Sequence, residues 1–409
     1  MSDETKKPLG RRKFLIRAAA VAGVGAAGLA GYKLVRRWKD RGHVDSTAAV
    51  GGKRRLGRTG LMVSPVGIGA GDLGAPELLV RAAEKDLNYL DTSVCYGQSE
   101  DIIGRALREH PGLRDKLIIA TKWDAGALSP KEKMLESLDK SLKRLGVDVI
   151  DIMQIHWLGG GHMKDDTGFN RLDNAALYEA MAEAKKSGKV RFFGATSHDG
   201  KRSEILQHAI AKGSFDMILV KMNYLDFEGA RIPALLQKAK EADVGVVVMK
   251  SQADGGHLPA GFEGDKWNIF QANLRWVLQQ DIACVVHSGI GSDPHMQDLA
   301  VGASSETLTR AEADLLDRYA AALSPEYCRG CGDICEGACP ESIAIASVLH
   351  FTMYEKRYGR SEQARHLYGA LPAEKRWSET CLDCDRCAEA CPFGLEVPAR
   401  ITEAKDLLG

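Results

Sequence analysis

The chain has 409 residues, with 55 Lys/Arg balanced by 55 Asp/Glu, 44% hydrophobic residues and 6% aromatics. That length suits two or three domains, and the composition excludes both wholesale disorder and a multi-span membrane protein. The charge balance hides a basic start, eleven Lys/Arg against four Asp/Glu in residues 1–50, and a mildly acidic remainder. Such a body has no broad electrostatic reason to hold nucleic acid.

Within residues 1–50, Arg11-Arg12-Lys13-Phe14-Leu15 precedes a weakly apolar Ala/Gly run from Ala18 to Gly31. A charged region, a short apolar stretch and a small-residue end make an export signal. Paired arginines before Phe14-Leu15 resemble the twin-arginine class, whose translocase carries folded proteins. The expected location is therefore the periplasm or the outer face of the membrane, with anchoring there if the signal is retained. Gly23–Gly28 also fits G-x-G-x-x-G, but a basic cluster rather than a strand precedes it, so no dinucleotide fold is read from it.

From residue 53 to 305, short apolar runs alternate with amphipathic helical stretches. The strand candidates are Val66–Ala70, Tyr89–Ser93, Leu117–Lys122, Val149–Trp157, Val190–Ser197, Met217–Asn223, Gly245–Ser251 and Cys284–Ile290. Continuous apolar runs separated by helices indicate parallel strands buried on both faces. Eight such units over about 250 residues predict an α/β fold, a (β/α)8 barrel. Lys53–Ser64, with turn residues at Gly57 and Gly60, reads as a hairpin capping the barrel's bottom.

Barrel chemistry belongs at the carboxyl ends of the strands. Asp91, Tyr96, Lys122 and His156 all fall there, on or just after consecutive strands. A tyrosine with a pKa near 10 is a poor acid unless its phenolate is stabilised, which a lysine ammonium can do. An aspartate would keep that lysine charged, and the histidine could position a carbonyl. The set predicts proton donation by Tyr96 during carbonyl reduction.

The stretches Tyr89–Glu100, Ile119–Lys122 and Asp151–His156 resemble signature motifs of the aldo/keto reductase family, and the likeness covers nearly all of residues 53–305. The resemblance implies a catalytic tetrad of Asp91, Tyr96, Lys122 and His156, and NADP(H) bound without a Rossmann fold. Trp123 and Trp157 would line the substrate mouth. It also implies cofactor contacts from Ser197, His198, Asn223, Lys250, Gly291 and Ser292. The family's usual Ser-Asn after strand five is Ser197-His198 here, and strand six carries Leu219 and Met222 where Gln and Tyr are common.

Eight of the ten cysteines lie between Cys328 and Cys391. Cys381-x2-Cys384-x2-Cys387-x3-Cys391-Pro392 reproduces the bacterial ferredoxin run for a [4Fe–4S] cluster. Cys328-x2-Cys331-x3-Cys335-x3-Cys339-Pro340 carries one extra residue. If the fourth cysteine of each run serves the other cluster, Cys328, Cys331, Cys335 and Cys391 hold one, and Cys339, Cys381, Cys384 and Cys387 the second. Structural zinc and disulfides are the competing readings. Residues 324–409 then form a small, mainly helical ferredoxin-type domain, with helices expected over Ser347–Gly359 and Ser361–Tyr368. The whole layout resembles a subset of the family with such an extension.

These readings predict an exported oxidoreductase acting on a small carbonyl or alcohol and exchanging single electrons with an external donor or acceptor. The alternative is an electron-transfer protein whose barrel is an inactive scaffold.

Overall fold

The computed structural model describes residues 52–123, 126, 129–159, 167–253 and 257–409; the export signal read at residues 11–31 lies outside them. Residues Arg54–Arg55 (β1) and Met62–Val63 (β2) pair antiparallel as the expected hairpin. Its turn packs against the barrel floor so closely that a β-carbon on Gly57, which has φ +49°, would lie 2.2 Å from the Gly245 nitrogen. Only glycine fits there.

Eight parallel strands follow: Val66–Gly69 (β3), Tyr89–Asp91 (β4), Ile118–Trp123 (β5), Ile150–Ile155 (β6), Val190–Ser197 (β7), Met217–Lys221 (β8), Gly245–Met249 (β9) and Cys284–His287 (β10). They close in sequence order, β10 pairing with β3. Each expected strand is present, most of them shortened at the carboxyl end where the chain turns out into loops. Apolar residues on both faces explain the closure: the outer set packs beneath the helices, and Tyr89, Ala120, Ile152, Met217, Leu219 and Val247 form a separate inner core.

After the barrel, helix Arg310–Leu323 begins with a reciprocal cap between Thr309 and Glu312. The remaining chain is helical, including Gly332–Ala338, Ile345–Lys356, Ser361–Ala370, Arg386–Ala390 and Val397–Leu408. The two longer sequence-predicted helices are observed with their ends shifted by two or three residues. Cysteines sit at helix boundaries: Cys331 precedes Gly332–Ala338, Cys339 ends it, and Cys391 ends Arg386–Ala390.

This helical unit lies over the carboxyl face of the barrel. Arg360 reaches Asp72 after β3 at 3.9 Å, Tyr327 meets Asn223 after β8, and Asp333 pairs with Arg231. Ala346 packs so tightly on Gly200 that a β-carbon there would sit 2.6 Å from it. Trp157, at the end of β6, is buried in the core of the helical unit together with Cys335, Leu349 and Cys387. The barrel's mouth is therefore roofed.

Candidate active site

Strand register assembles the tetrad. Lys122 pairs with Gln154, and Asp91 pairs with Ala120, two residues before Lys122. Side chains two apart share a face, so Asp91, Lys122 and His156 all point toward the barrel axis. Lys122 Nζ donates to Asp91 Oδ2 and to the Thr92 carbonyl, each at 2.6 Å. Gln154 donates to the other Asp91 oxygen at 2.7 Å. Lys122 Nζ also lies 4.8 Å from the Tyr96 ring centroid. The His156 ring stands edge-on to Tyr96 at 6.0 Å, with its Nδ1 3.3 Å from Ser93 Oγ. All four predicted catalytic residues thus meet.

Burial raises the Tyr96 pKa, and the Lys122 charge works against that rise. Burial disfavours the Lys122 ammonium, but Asp91 and Tyr96 outweigh it and leave its pKa raised. The arrangement is a protonated phenol beside a permanently charged ammonium that a buried carboxylate holds in place. It can give a proton to a developing alkoxide and stabilise the phenolate left behind. Gln154, which orients Asp91, was missed in the sequence reading although it lies inside the quoted motif.

The six expected cofactor residues divide into two groups. Ser197, His198, Asn223 and Lys250 cluster after β7, β8 and β9, but each has a partner inside the protein. Ser197 donates to the Leu158 carbonyl at 2.8 Å. His198 is 9% exposed, stacks on Trp157 at 4.5 Å and faces His350 of the roof at 5.4 Å. Asn223 donates to the Tyr327 hydroxyl at 3.0 Å and accepts from the Leu225 and Asp226 amides. Lys250, in the left-handed region at φ 55°, hydrogen-bonds the Tyr354 hydroxyl. Gly291 and Ser292 lie apart, after β10. There the side chain of Asp293 already caps the following helix by accepting from the His295 amide at 2.8 Å.

Leu219 is in the inner core and Met222 in the outer one, so neither offers a polar contact. Trp123 is 1% exposed beside Phe193, and Trp157 lies under the roof. Neither tryptophan forms an open rim.

The C-terminal cysteines form two neighbourhoods. Cys328, Cys331, Cys335 and Cys391 line one pocket together with Leu349, Phe393 and Val397. Burial pushes the Cys328 thiol up to about 11 and Cys331 to about 12, and neighbouring sulfurs add to each rise. In the other set burial raises the Cys381 and Cys387 thiols, and the neighbouring Cys339 adds to both rises. Free thiolates crowded in this fashion repel; cationic iron would relieve the repulsion. Thiolates are the ligands iron–sulfur clusters take, and Cys391 shares a pocket lining with Cys328, Cys331 and Cys335.

Comparison with known proteins agrees with this geometry. The pattern of the aldo/keto reductase family matches residues 72–262, and that of the 4Fe-4S dicluster domain matches residues 327–395. An uncharacterized oxidoreductase of Bacillus subtilis, YqkF, is 26% identical over 309 residues, covering 65% of this chain and 96% of its own. L-galactose dehydrogenase of Arabidopsis thaliana is 31% identical over 219 residues, covering 49% of this chain and 66% of its own. The barrel superimposes on the holo form of an aldo-keto reductase from Bacillus halodurans with a TM-score of 0.51. That match has 24% identity and covers 66% of this chain and 96% of the other. The chain thus contains an aldo/keto reductase domain, and it is an oxidoreductase enzyme. More particularly, it joins that barrel to a 4Fe-4S dicluster domain.

Proposed function

We propose that this enzyme interconverts a small carbonyl compound and its alcohol, with Tyr96 giving or taking the proton. The observation that carries the reading is Lys122, held by Asp91 and Thr92 with its charge against the Tyr96 ring. His156, beside Tyr96, would orient the carbonyl oxygen. NADP(H) would be held by Ser197, His198, Asn223 and Lys250 at one end and by Gly291 and Ser292 at the other; when bound it supplies the hydride equivalent. Two [4Fe–4S] clusters, on the two cysteine sets above, would exchange single electrons with an external partner. The roof would exclude water from the reacting atoms.

The paired arginines Arg11-Arg12 support export by the twin-arginine translocase after the clusters are inserted. On this reading the working enzyme would lie on the outer side of the membrane.

A second reading has a specific observation in its favour. His350, Tyr354 and Tyr327 engage the residues that a nicotinamide would need. On this reading the barrel is a scaffold for the clusters and binds no nucleotide. The two diverge in one experiment on the full chain, kept anaerobic with its clusters. Under the first reading NADPH binds saturably, and His350→Ala tightens binding about tenfold or more, because the binding-competent arrangement no longer has to displace the ring. Fluorescence titration checks this. No binding by either protein would decide for the scaffold.

A further inference from the structure

The two thiolate sets lie in opposite electrostatic surroundings. Gly330, between Cys328 and Cys331, faces Arg202 of the barrel: a β-carbon there would lie 2.7 Å from the guanidinium Nη1. Arg202 and Lys221 are 1% and 4% exposed. Both pair with the fully buried Asp226, at 3.1 and 3.2 Å. One carboxylate is shared by two cations under the Cys328 loop; burial and Arg202 lower the Lys221 pKa, and Asp226 opposes that fall. Lys221 and Cys328 line the same cavity, and Lys221 Nζ is 5.5 Å from the Tyr327 ring centroid. The other set is flanked by exposed Glu341, Glu379, Asp383, Asp385 and Glu389, with Arg386 among them, while Asp333 and Glu336 lie within the first run. Leu382, next to Cys381, is 64% exposed, so the Cys381 loop reaches solvent, whereas the Cys328 loop lies against the barrel at Arg202.

Reduction adds one negative charge to a thiolate-bound cluster. A nearby cation favours the reduced form and carboxylates disfavour it. Burial of the inner set acts against reduction, and the barrel's cations oppose that penalty from positions where solvent cannot screen them.

We propose that Lys221, positioned with Arg202 on Asp226, holds the potential of the inner cluster above that of the outer one. Electrons then enter at the exposed cluster and run toward the barrel. In each transfer the outer cluster is oxidised by one electron and the inner one reduced. No bond breaks; an external one-electron donor would restore the outer cluster, and a one-electron acceptor on the barrel side would reoxidise the inner one. Lys221 is a positioning residue in this account, acting through the cluster. The inference rests on the two-cluster reading proposed above.

The test is a redox titration of the full chain, reconstituted anaerobically and followed by EPR. Cys384→Ser, which removes an outer ligand, assigns the signals. The wild-type protein is expected to reduce its inner cluster first. Lys221→Met should shift that midpoint downward and leave the outer one unchanged, while Lys221→Arg should retain the wild-type order. Two clusters with the outer one reduced first, or with midpoints that ignore Lys221→Met, overturn the inference alone. The wild-type order needs no variant to fold. A chain that assembles only one cluster overturns the two-cluster reading and this inference with it.

Discussion

Lys122→Met is expected to lower kcat/KM for carbonyl reduction by roughly 100- to 10,000-fold, the range general acid catalysis commonly supplies. Lys122 does two things at once. It stabilises the Tyr96 phenolate, and it neutralises Asp91, which is 3% exposed. Removing the ammonium leaves a buried carboxylate with only Gln154 and other neutral donors, so a stability loss of about 3–5 kcal/mol should accompany the lost activity. Lys122→Met with Asp91→Asn should recover much of the stability and none of the rate, which separates the two roles. The pH dependence has a definite sign. Burial and the opposing Lys122 charge leave the Tyr96 pKa above its ordinary value. The acid form therefore persists through neutrality, and the rate of reduction should fall only above about pH 10. Without Lys122 that limb moves further up and the plateau drops, because a less acidic phenol is a poorer donor. Steady-state rates between pH 6 and 11 and thermal unfolding measure both effects.

Cys391→Ser is expected to remove the cluster whose other three ligands lie about sixty residues earlier, at Cys328, Cys331 and Cys335. A sequential assignment, with each run binding its own cluster, predicts loss of the cluster on Cys381, Cys384 and Cys387 instead. The pocket that Cys328, Cys331, Cys335 and Cys391 line together favours the first outcome. About half the iron should be lost, and the surviving EPR signal should match that of Cys328→Ser rather than that of Cys381→Ser. The structural effect should reach the barrel, since Arg329 lies 4.1 Å over the Phe393 ring and both pack on Gly229.

The eight strands were legible because each is a short apolar run with a helix behind it. Doubly wound sheets share that pattern, and the count of eight with no glycine fingerprint after the first strand favoured the barrel. The tetrad was legible for a related reason: strand ends converge, so residues 31 and 63 positions apart, such as Asp91 with Lys122 and Gln154, become neighbours once the barrel closes. The cysteine spacing carried its own geometry. What the sequence did not reveal is the roof. His350 and Tyr354 sit in a helix whose buried residues extend around much of its surface, and nothing in their spacing says which face meets the barrel. Lys221, Arg202 and Asp226 read individually as ordinary polar residues near strand ends. Their shared burial arises only when the C-terminal unit descends on them. Long-range contacts of this kind leave no local signature, and so the cofactor contacts inferred from family likeness could not anticipate the partners that Ser197, His198, Asn223 and Lys250 have here.

The central claim is that the phenol at position 96 delivers the proton. The direct measurement is anaerobic NADPH-dependent turnover of a reactive aromatic aldehyde by the full chain and by Tyr96→Phe. The substitution removes one oxygen and keeps the ring against His156. The account predicts measurable turnover by the parent and a loss of about 100-fold or more in the variant, with NADPH affinity unchanged. Equal turnover by the two proteins would contradict it.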